Sequence, residues 1–538
     1  MNSNTNTKLI KVVPSSEGMK IIRGFERINE DYPDYLRDES NIGTGRAEAL
    51  FFPKNIQNIA WIIEEAKKKK KNITVSGGRT GICGGAVPEN GWIVSLDRMK
   101  RILDVNCEHK NGERLTPFIT LEPGVRLNEI AQYLKENDFA ISNSCVDLIK
   151  KSKSRFFYPP DPTETTATIG GTASTNASGA RTLRYGPTRN FIYGLEVLLT
   201  NGYLLKLKRG EVISKDGFFY LQGNGKKMKI PAPRYKIPKT KHSAGIFSSE
   251  PMDLIDLFIG SEGVLGIITS VTIKVIEEPK YIVSGMAFFD EEGKAVSFVE
   301  DSKGSVEDVT CLEYFDKDAI RLLQRLREEQ GPVSEIPDLP VAVMGVYFES
   351  FADDLKFVKK YLYEWKEKIE KYSGLRDISL ASIEPKDINR FKIIRHSVPE
   401  MINRRISEIK KLVPEVHKVG TDMAVPDGYL RPMLSYYREK LDTTGIEYVV
   451  FGHIGNNHLH VNMIPKDREE LKLAEELYVR FAKKAVDFGG SISGEHGIGK
   501  LKKRYLGIQF TENEIEEMKT IKNFFDPDNI LNPGDLFE

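Results

Sequence analysis

Four of the eight histidines in this 538-residue chain fall within two short stretches, FGHIGNNHLHVN at 451–462 and SISGEHG at 491–497. The second stretch also carries Glu495. Imidazoles gathered around a carboxylate suit metal ligation and proton transfer. The β-branched and aromatic run YVVF at 448–451 reads as a strand, IGNN at 454–457 as a turn, and a second strand is expected to begin near His458. Side chains alternate along a strand, so His458, His460 and Asn462 are expected on one face, with His453 at the end of the partner strand. His453, His460 and Glu495 could then converge on a divalent Lewis acid such as zinc or manganese. His496 would remain free to move a proton. A single histidine is more ordinarily a hydrogen-bonded member of a polar core; it is the clustering that argues for chemistry.

A chain of this length exceeds one core of ordinary size, so two or more domains are expected. Lys and Arg total 78 against 77 Asp and Glu, which leaves no global basic field for a nucleic-acid partner. The lysine run at 67–71 closes an amphipathic pattern with Ile56, Ile59, Ala60 and Ile63 on one face, where cations complement the C-terminal end of a helix. The cysteines at 83, 107, 145 and 311 include no CxxC pair, so neither an iron–sulfur cluster nor a structural zinc is expected, and a reduced intracellular compartment fits. The N-terminal MNSNTNTKLIKVV has no apolar core of a signal segment, and no stretch has the apolar length to span a bilayer. A cytoplasmic location is expected, with peripheral contact at the inner membrane face left open. Residues 223–247, rich in Lys and Pro, read as a long loop or insertion.

The glycines of the N-terminal half imply a ligand. Residues 72–99 read as a strand, a turn bearing Gly77, Gly78, Gly81, Gly84 and Gly85, and a second strand. Glycines let successive amides approach an anion, and a diphosphate is the natural guest. The pattern is neither a Walker loop nor a GxGxxG turn opening a helix. In the stretch that begins PPDPTETTATIGG at 159, the small residues at 170–180 are expected to lay backbone flat against a planar ring system. A buried strand at 195–199 then closes at Asn201 and Gly202. DLFIGSEGVLGIITSVTIKV at 256–275 again joins a small-residue loop to a β-branched strand. Three such loops imply one large, elongated cofactor.

These loops, the AsnProGly of FDPDNILNPGDLF at 525–537 and the histidine cluster together resemble the FAD-binding oxidoreductases of the vanillyl-alcohol oxidase type. Within them the resemblance is to the D-lactate, glycolate and D-2-hydroxyglutarate dehydrogenase branch, over about residues 40–538. It implies an α+β architecture: an N-terminal extension at 1–44, a PCMH-type FAD-binding domain of two subdomains at 45–278, an antiparallel-sheet cap with flanking helices at 279–500, and a segment at 501–538 returning to the FAD domain. Helices are expected in the cap at 316–329 and 352–372, and at 512–525 on the way back.

The resemblance also implies roles. Ser76, Gly77, Gly78, Arg79, Thr80, Gly81, Gly84 and Gly85 would hold the FAD diphosphate. Pro160, Thr163, Gly170, Gly171, Ala177, Ser178 and Gly179 would line the isoalloxazine and ribityl portion. Glu262, Gly266 and Ile267 would hold the adenosine side, and Asn532 would return near the flavin. Arg79 and Thr80 stand where relatives with covalent flavin carry a histidine, so noncovalent FAD is expected. Arg79 replaces a glycine usual in the branch, and could pair with the diphosphate or point to solvent. Cys83 is expected to be a packed thiol.

In the cap, His453, His460 and Glu495 match the family's metal ligands, and His496 matches its general base. Asn462 would orient the substrate. Arg395, in FKIIRHSVPE at 391–400, would clamp the substrate carboxylate, with Lys418 a second candidate cation. Relatives read GlyHisXGlyAspGlyAsn in the hairpin, whereas this chain has Asn456, Asn457 and His458 at the last three places. An acidic group is lost there and another imidazole donor is gained. The implied activity is FAD-dependent oxidation of a small D-2-hydroxyacid, D-lactate ahead of glycolate and D-2-hydroxyglutarate. Electrons would pass to an external acceptor, whether quinone, cytochrome or electron-transfer flavoprotein, and a homodimer is expected by analogy. The alternatives are a transferase resembling alkylglycerone-phosphate synthase, and a flavin subunit of a larger electron-transfer complex.

Overall fold

The computed structural model describes residues 7–108, 115–223, 226–331, 334–336, 338–341 and 343–537. Part of the segment read as an insertion, residues 224–225, lies outside them, as do the first six residues of the N-terminal stretch. The glycine turn at 77–85 joins two neighbouring parallel strands, Ile73–Ser76 and Trp92–Ser95, and Ala49–Phe52 pairs with Trp92–Ser95 on its other side. Parallel strands need a crossover. The Ile56–Lys69 helix leads from Ala49–Phe52 to Ile73–Ser76. The Asn55 side chain accepts the Asn58 amide at its start, and Lys70 ends it in the left-handed region. It buries Ile59, Ala60 and Ile63 and presents lysines in its last turn, as the sequence pattern predicts.

A six-stranded antiparallel sheet forms the second subdomain, in the order Lys8–Lys11, Tyr203–Lys208, Ile192–Leu198, Ile267–Lys274, Thr116–Leu121 and Ile102–Glu108. Lys8–Lys11 is an edge strand of this sheet and Lys20–Arg23 an edge strand of the four-stranded one, so the N-terminal extension is woven into both subdomains. Two of the cysteines expected to be reduced, Cys107 and Cys145, form a disulfide with Cα atoms 5.7 Å apart. They lie 38 residues apart in sequence and meet because the Ser144–Lys151 helix packs on the Ile102–Glu108 strand. Cys83 and Cys311 are free and buried.

The cap is a seven-stranded antiparallel sheet, ordered Leu380–Ser382, Tyr281–Phe289, Met344–Ala352, Val309–Phe315, Glu447–Gly452, His460–Ile464 and Val419–Gly420. Flanking helices seal its faces; Trp365 of the Leu355–Tyr372 helix stacks on Phe348 with ring centroids 4.1 Å apart. That helix starts three residues later than expected, because Ala352 ends a strand and the Asp354 side chain caps the first turn. Lys317–Gln330, capped by Asp316, lies one residue on from its expected bounds, and Glu512–Phe525 lies at its expected bounds. The α+β architecture with an antiparallel cap is as expected. Among the described residues, no helix is long and apolar enough to cross a membrane.

Candidate active site

Glu447–Gly452 and His460–Ile464 form the expected hairpin, with Phe451 opposite His460. His453 follows the first strand, and its carbonyl accepts the amides of Asn456 and His458 at 3.0 and 3.2 Å. Gly452 sits at φ 127°, where a Cβ would lie 2.8 Å from the His460 ring. Only glycine serves there. His460 and Asn462 are two residues apart on the second strand, but His458 is not on that strand. A 3₁₀ turn at Ile454–Asn456, ended by left-handed Asn457, delays the strand and leaves His458 in the approach to it. Its ring nevertheless lies 4.5 Å from that of His460.

Glu495 sits among the imidazoles. Its Oε1 lies 3.2 Å from His460 Nε2 and 3.3 Å from His496 Nε2; its Oε2 lies 3.2 Å from His453 Nε2. Ligands on a divalent ion with bonds of about 2.0–2.2 Å stand roughly 3–4 Å from one another, so this donor set fits such an ion. Partners behind the donors fix ring orientation, as metal-binding histidines require. His453 Nδ1 lies 2.6 Å from Glu313 Oε1, and His460 Nδ1 lies 3.1 Å from the Thr421 carbonyl oxygen. Without a metal ion, burial lowers the His453 pKa, but Glu313 and Glu495 outweigh it and raise it to about 9. A cation binding there displaces that proton. We predict that Glu313→Gln weakens divalent-cation binding by about 10–100-fold, read by calorimetry on the FAD-loaded protein.

Lys241 was not anticipated in this cluster. It comes from the lysine-rich segment read as an insertion, and its Nζ lies 2.5 Å from Glu495 Oε2 with the side chain 3% exposed. Burial pushes the Glu495 pKa up, yet Lys241 and His453 hold it well below the usual carboxylate range. Asp422 organises the other side. One carboxylate oxygen lies 3.0 Å from His458 Nε2 and 3.2 Å from His496 Nδ1; the other accepts the His496 amide, the Ser493 hydroxyl and the Lys502 ammonium. With Nδ1 beside Asp422, the Nε2 of His496 faces Glu495. Burial lowers the His496 pKa, opposed by Asp422.

A cavity of about 1180 Å³ runs from this cluster into the glycine loops. Its wall includes His453, His460, Asn462, Glu495, His496, Arg395 and Lys418 from the cap. From the other half it includes Gly77, Gly78, Arg79, Thr80, Gly81, Gly85, Thr163, Gly170, Gly171, Ala177, Ser178, Glu262, Gly266, Ile267 and Asn532. Residues 38–42, which the sequence did not single out, line it too. Among the described residues, the amides of Gly77, Gly78, Arg79, Thr80 and Gly81 find no acceptor within the chain. Gly77, Gly78, Arg79 and Thr80 are half-buried. Half-buried amides without partners call for an external acceptor, and a diphosphate fits.

Several of the residues expected at the cofactor sit off this wall or are engaged within the chain. Ser76, Gly84, Pro160 and Gly179 do not line the cavity. Ser76 is fully buried, and a Cβ at Gly179 would lie 2.0 Å from the Asp161 carbonyl oxygen, so that glycine serves loop packing. The small-residue stretch is not flat backbone: Thr168 caps a helix over Ile169–Thr175, and Gly170 lets it approach Pro123, where a Cβ would come within 2.5 Å. The Glu262 carboxylate accepts the amides of Ile498 and Gly499 at 2.7 and 2.6 Å, so it joins the His496 loop to the FAD domain. Asn532 bridges Val75 N and the Glu262 carbonyl. Arg79, at φ 60°, lays its guanidinium 4.1 Å over Tyr35 and bonds the Gly77 carbonyl at 3.0 Å. It thus braces the loop. Burial pushes the Cys83 thiol up to about 12, as suits a packed, unreactive group.

Residues 47–150 and 143–208 match the FAD binding domain family, and residues 278–536 match the family described as FAD linked oxidases, C-terminal domain. With both models matched in order, the chain belongs to the FAD-linked oxidases, flavoprotein oxidoreductases that join an FAD binding domain to this C-terminal domain. It is 28% identical over 517 residues to a D-lactate dehydrogenase of Anaerostipes hadrus, covering 95% of this chain and 93% of the relative. It is 27% identical to the glycolate oxidase subunit GlcD of Bacillus subtilis (91% and 89% covered) and 26% identical to a D-2-hydroxyglutarate dehydrogenase of Stutzerimonas stutzeri (91% and 90%). Among solved structures, a 4-ethylphenol oxidase from Gulosibacter chungangensis superposes with a TM-score of 0.64 at 15% identity, over 95% of this chain and 94% of that one. An alkyldihydroxyacetonephosphate synthase superposes with a TM-score of 0.60 at 15% identity, over 97% and 88%. At that identity they share the fold.

Proposed function

We propose that the chain oxidises a small D-2-hydroxyacid to the 2-oxoacid with FAD, D-lactate ahead of glycolate and D-2-hydroxyglutarate. One observation carries the reading: the glycine cradle and the Glu495 imidazole cluster open into a single cavity, with the Arg395 and Lys418 cations in its cap wall. FAD, held noncovalently by the 77–81 amides, supplies a hydride acceptor when bound. His453, His460 and Glu495 would hold a divalent cation, zinc or manganese, which makes a nearby hydroxyl more acidic. His496 takes the hydroxyl proton at Nε2 while Asp422 steadies its other nitrogen. Arg395 anchors the substrate carboxylate through its two-pronged guanidinium, and Asn462 orients the hydroxyl-bearing carbon. The substrate thus loses its hydroxyl proton to His496 and its Cα hydrogen with two electrons. Those electrons leave for an external quinone, cytochrome or electron-transfer flavoprotein, which peripheral membrane contact would suffice to reach.

Turnover of D-lactate, L-lactate, glycolate and D-2-hydroxyglutarate, followed with an artificial electron-accepting dye, tests the reading. D-lactate is turned over and L-lactate is not. A flavin-loaded protein that turns over none of these acids contradicts it. We further predict that Arg395→Lys raises KM for the acid about 10–100-fold with a smaller change in kcat, since a hydrogen bond to a charged group contributes about 1.5–3 kcal/mol and an ammonium makes no fork.

A further inference from the structure

The His458 ring has one nitrogen accounted for and one not. Its Nε2 lies 3.0 Å from Asp422 Oδ1, so the proton resides on Nε2 and Nδ1 carries a lone pair. The residue is fully buried, and Nδ1 has no hydrogen-bond partner. That orphaned nitrogen lies 4.0 Å from Glu495 Oε2, too far for a hydrogen bond and about the separation of two ligands on one ion. His453, His458, His460 and Glu495 each offer a donor atom within 4.8 Å of all the others. Gly494 makes the placement: a Cβ there would lie 3.1 Å from the His458 ring.

We propose that His458 Nδ1 is a fourth protein ligand of the divalent-cation centre, which favours an ion of more than four-fold coordination, such as Mn²⁺, over tetrahedral Zn²⁺. The inference rests on the reading of His453, His460 and Glu495 as a metal centre. Its physical ground is that four protein donors fill a tetrahedron, and an ion that still accepts a substrate oxygen must expand beyond it. The Asp422–His458 contact is then the carboxylate–imidazole support that fixes the tautomer of metal-binding histidines. A reading of His458 as a strut for Asp422 alone accounts for Nε2 and leaves Nδ1 without a purpose.

X-ray absorption of the Co²⁺-loaded, FAD-containing protein counts the imidazoles on the ion without any mutation. Three imidazoles are expected; two overturn the assignment of His458 and leave the centre standing. A protein that takes up no Co²⁺, Mn²⁺ or Zn²⁺ overturns the centre itself, and His458 with it. His458→Asn, and His458→Gln as a second variant should the first fail to fold, are expected to weaken Mn²⁺ binding by at least about 100-fold in chelator competition, beyond the roughly 10–100-fold that loss of an outer partner gives. Unchanged Mn²⁺ affinity in a folded variant overturns the proposal.

Discussion

Replacing His496 with alanine lowers the rate of flavin reduction by the hydroxyacid by about 10²–10⁴-fold, the range that a positioned general base contributes. FAD content and divalent-cation content stay at wild-type levels, because the proposed function gives His496 the proton and gives the ion to its neighbours. The pH dependence carries the same signature. Burial lowers the His496 pKa from its ordinary value, and a nearby divalent cation disfavours the imidazolium further. The neutral ring is the active form, so kcat/KM is full above this pKa and falls as pH drops through it. The acid limb of the profile is therefore expected below the ordinary histidine value of about 6.5 and absent in His496→Ala.

Glu495→Gln is expected to have the second large effect, through two routes. Removing the carboxylate strips the centre of its anionic donor, and cation affinity falls by at least about 100-fold, more than the roughly 10–100-fold given by losing an outer partner. It also leaves the Lys241 ammonium buried at 3% exposure without the carboxylate 2.5 Å away. Breaking a buried pair from one side is destabilising by about 3–5 kcal/mol, whereas removing both charges is often close to neutral. The double variant Glu495→Gln, Lys241→Met should recover much of the lost thermal stability and none of the lost turnover. Thermal unfolding and dye-linked assays of the single and double variants check both halves.

The sequence was most legible where the signal is local. The Glu447–Gly452 and His460–Ile464 hairpin and the Ile56–Lys69 helix rest on periodicity, caps and turn residues within short windows, whereas the antiparallel cap was implied by the resemblance. What it concealed depends on contacts across the chain. Glu313 lies 140 residues from His453, and Lys241 lies 254 residues from Glu495. Glu313 did leave a trace, as the lone carboxylate in the wholly buried strand Val309–Phe315. Lys241 left none, because one lysine in a lysine-rich loop looks like any other. Glu262 shows the converse limit. Its position in the third glycine loop was legible, but not that its carboxylate would be taken by the amides of Ile498 and Gly499.

The small-residue stretch misled for a related reason. Glycine and alanine allow a flat backbone and equally allow a helix to pack close to its neighbour, and only the proximity of Pro123 to Gly170 decides between them. In the hairpin, one left-handed residue, Asn457, moved His458 out of the strand. That displacement aims its ring at Asp422 and leaves Nδ1 facing Glu495.

The central claim is that a hydroxyacid in this cavity gives up its Cα hydrogen to the flavin. Anaerobic rapid mixing of the metal-replete, FAD-loaded protein with D-lactate and with D-[2-²H]lactate measures this directly through the oxidised-flavin absorbance. Bleaching by D-lactate, slower with deuterium at Cα and lost in His496→Ala, is the predicted result. A flavin that stays oxidised with the metal-replete protein, or that bleaches equally well in His496→Ala, would contradict the account.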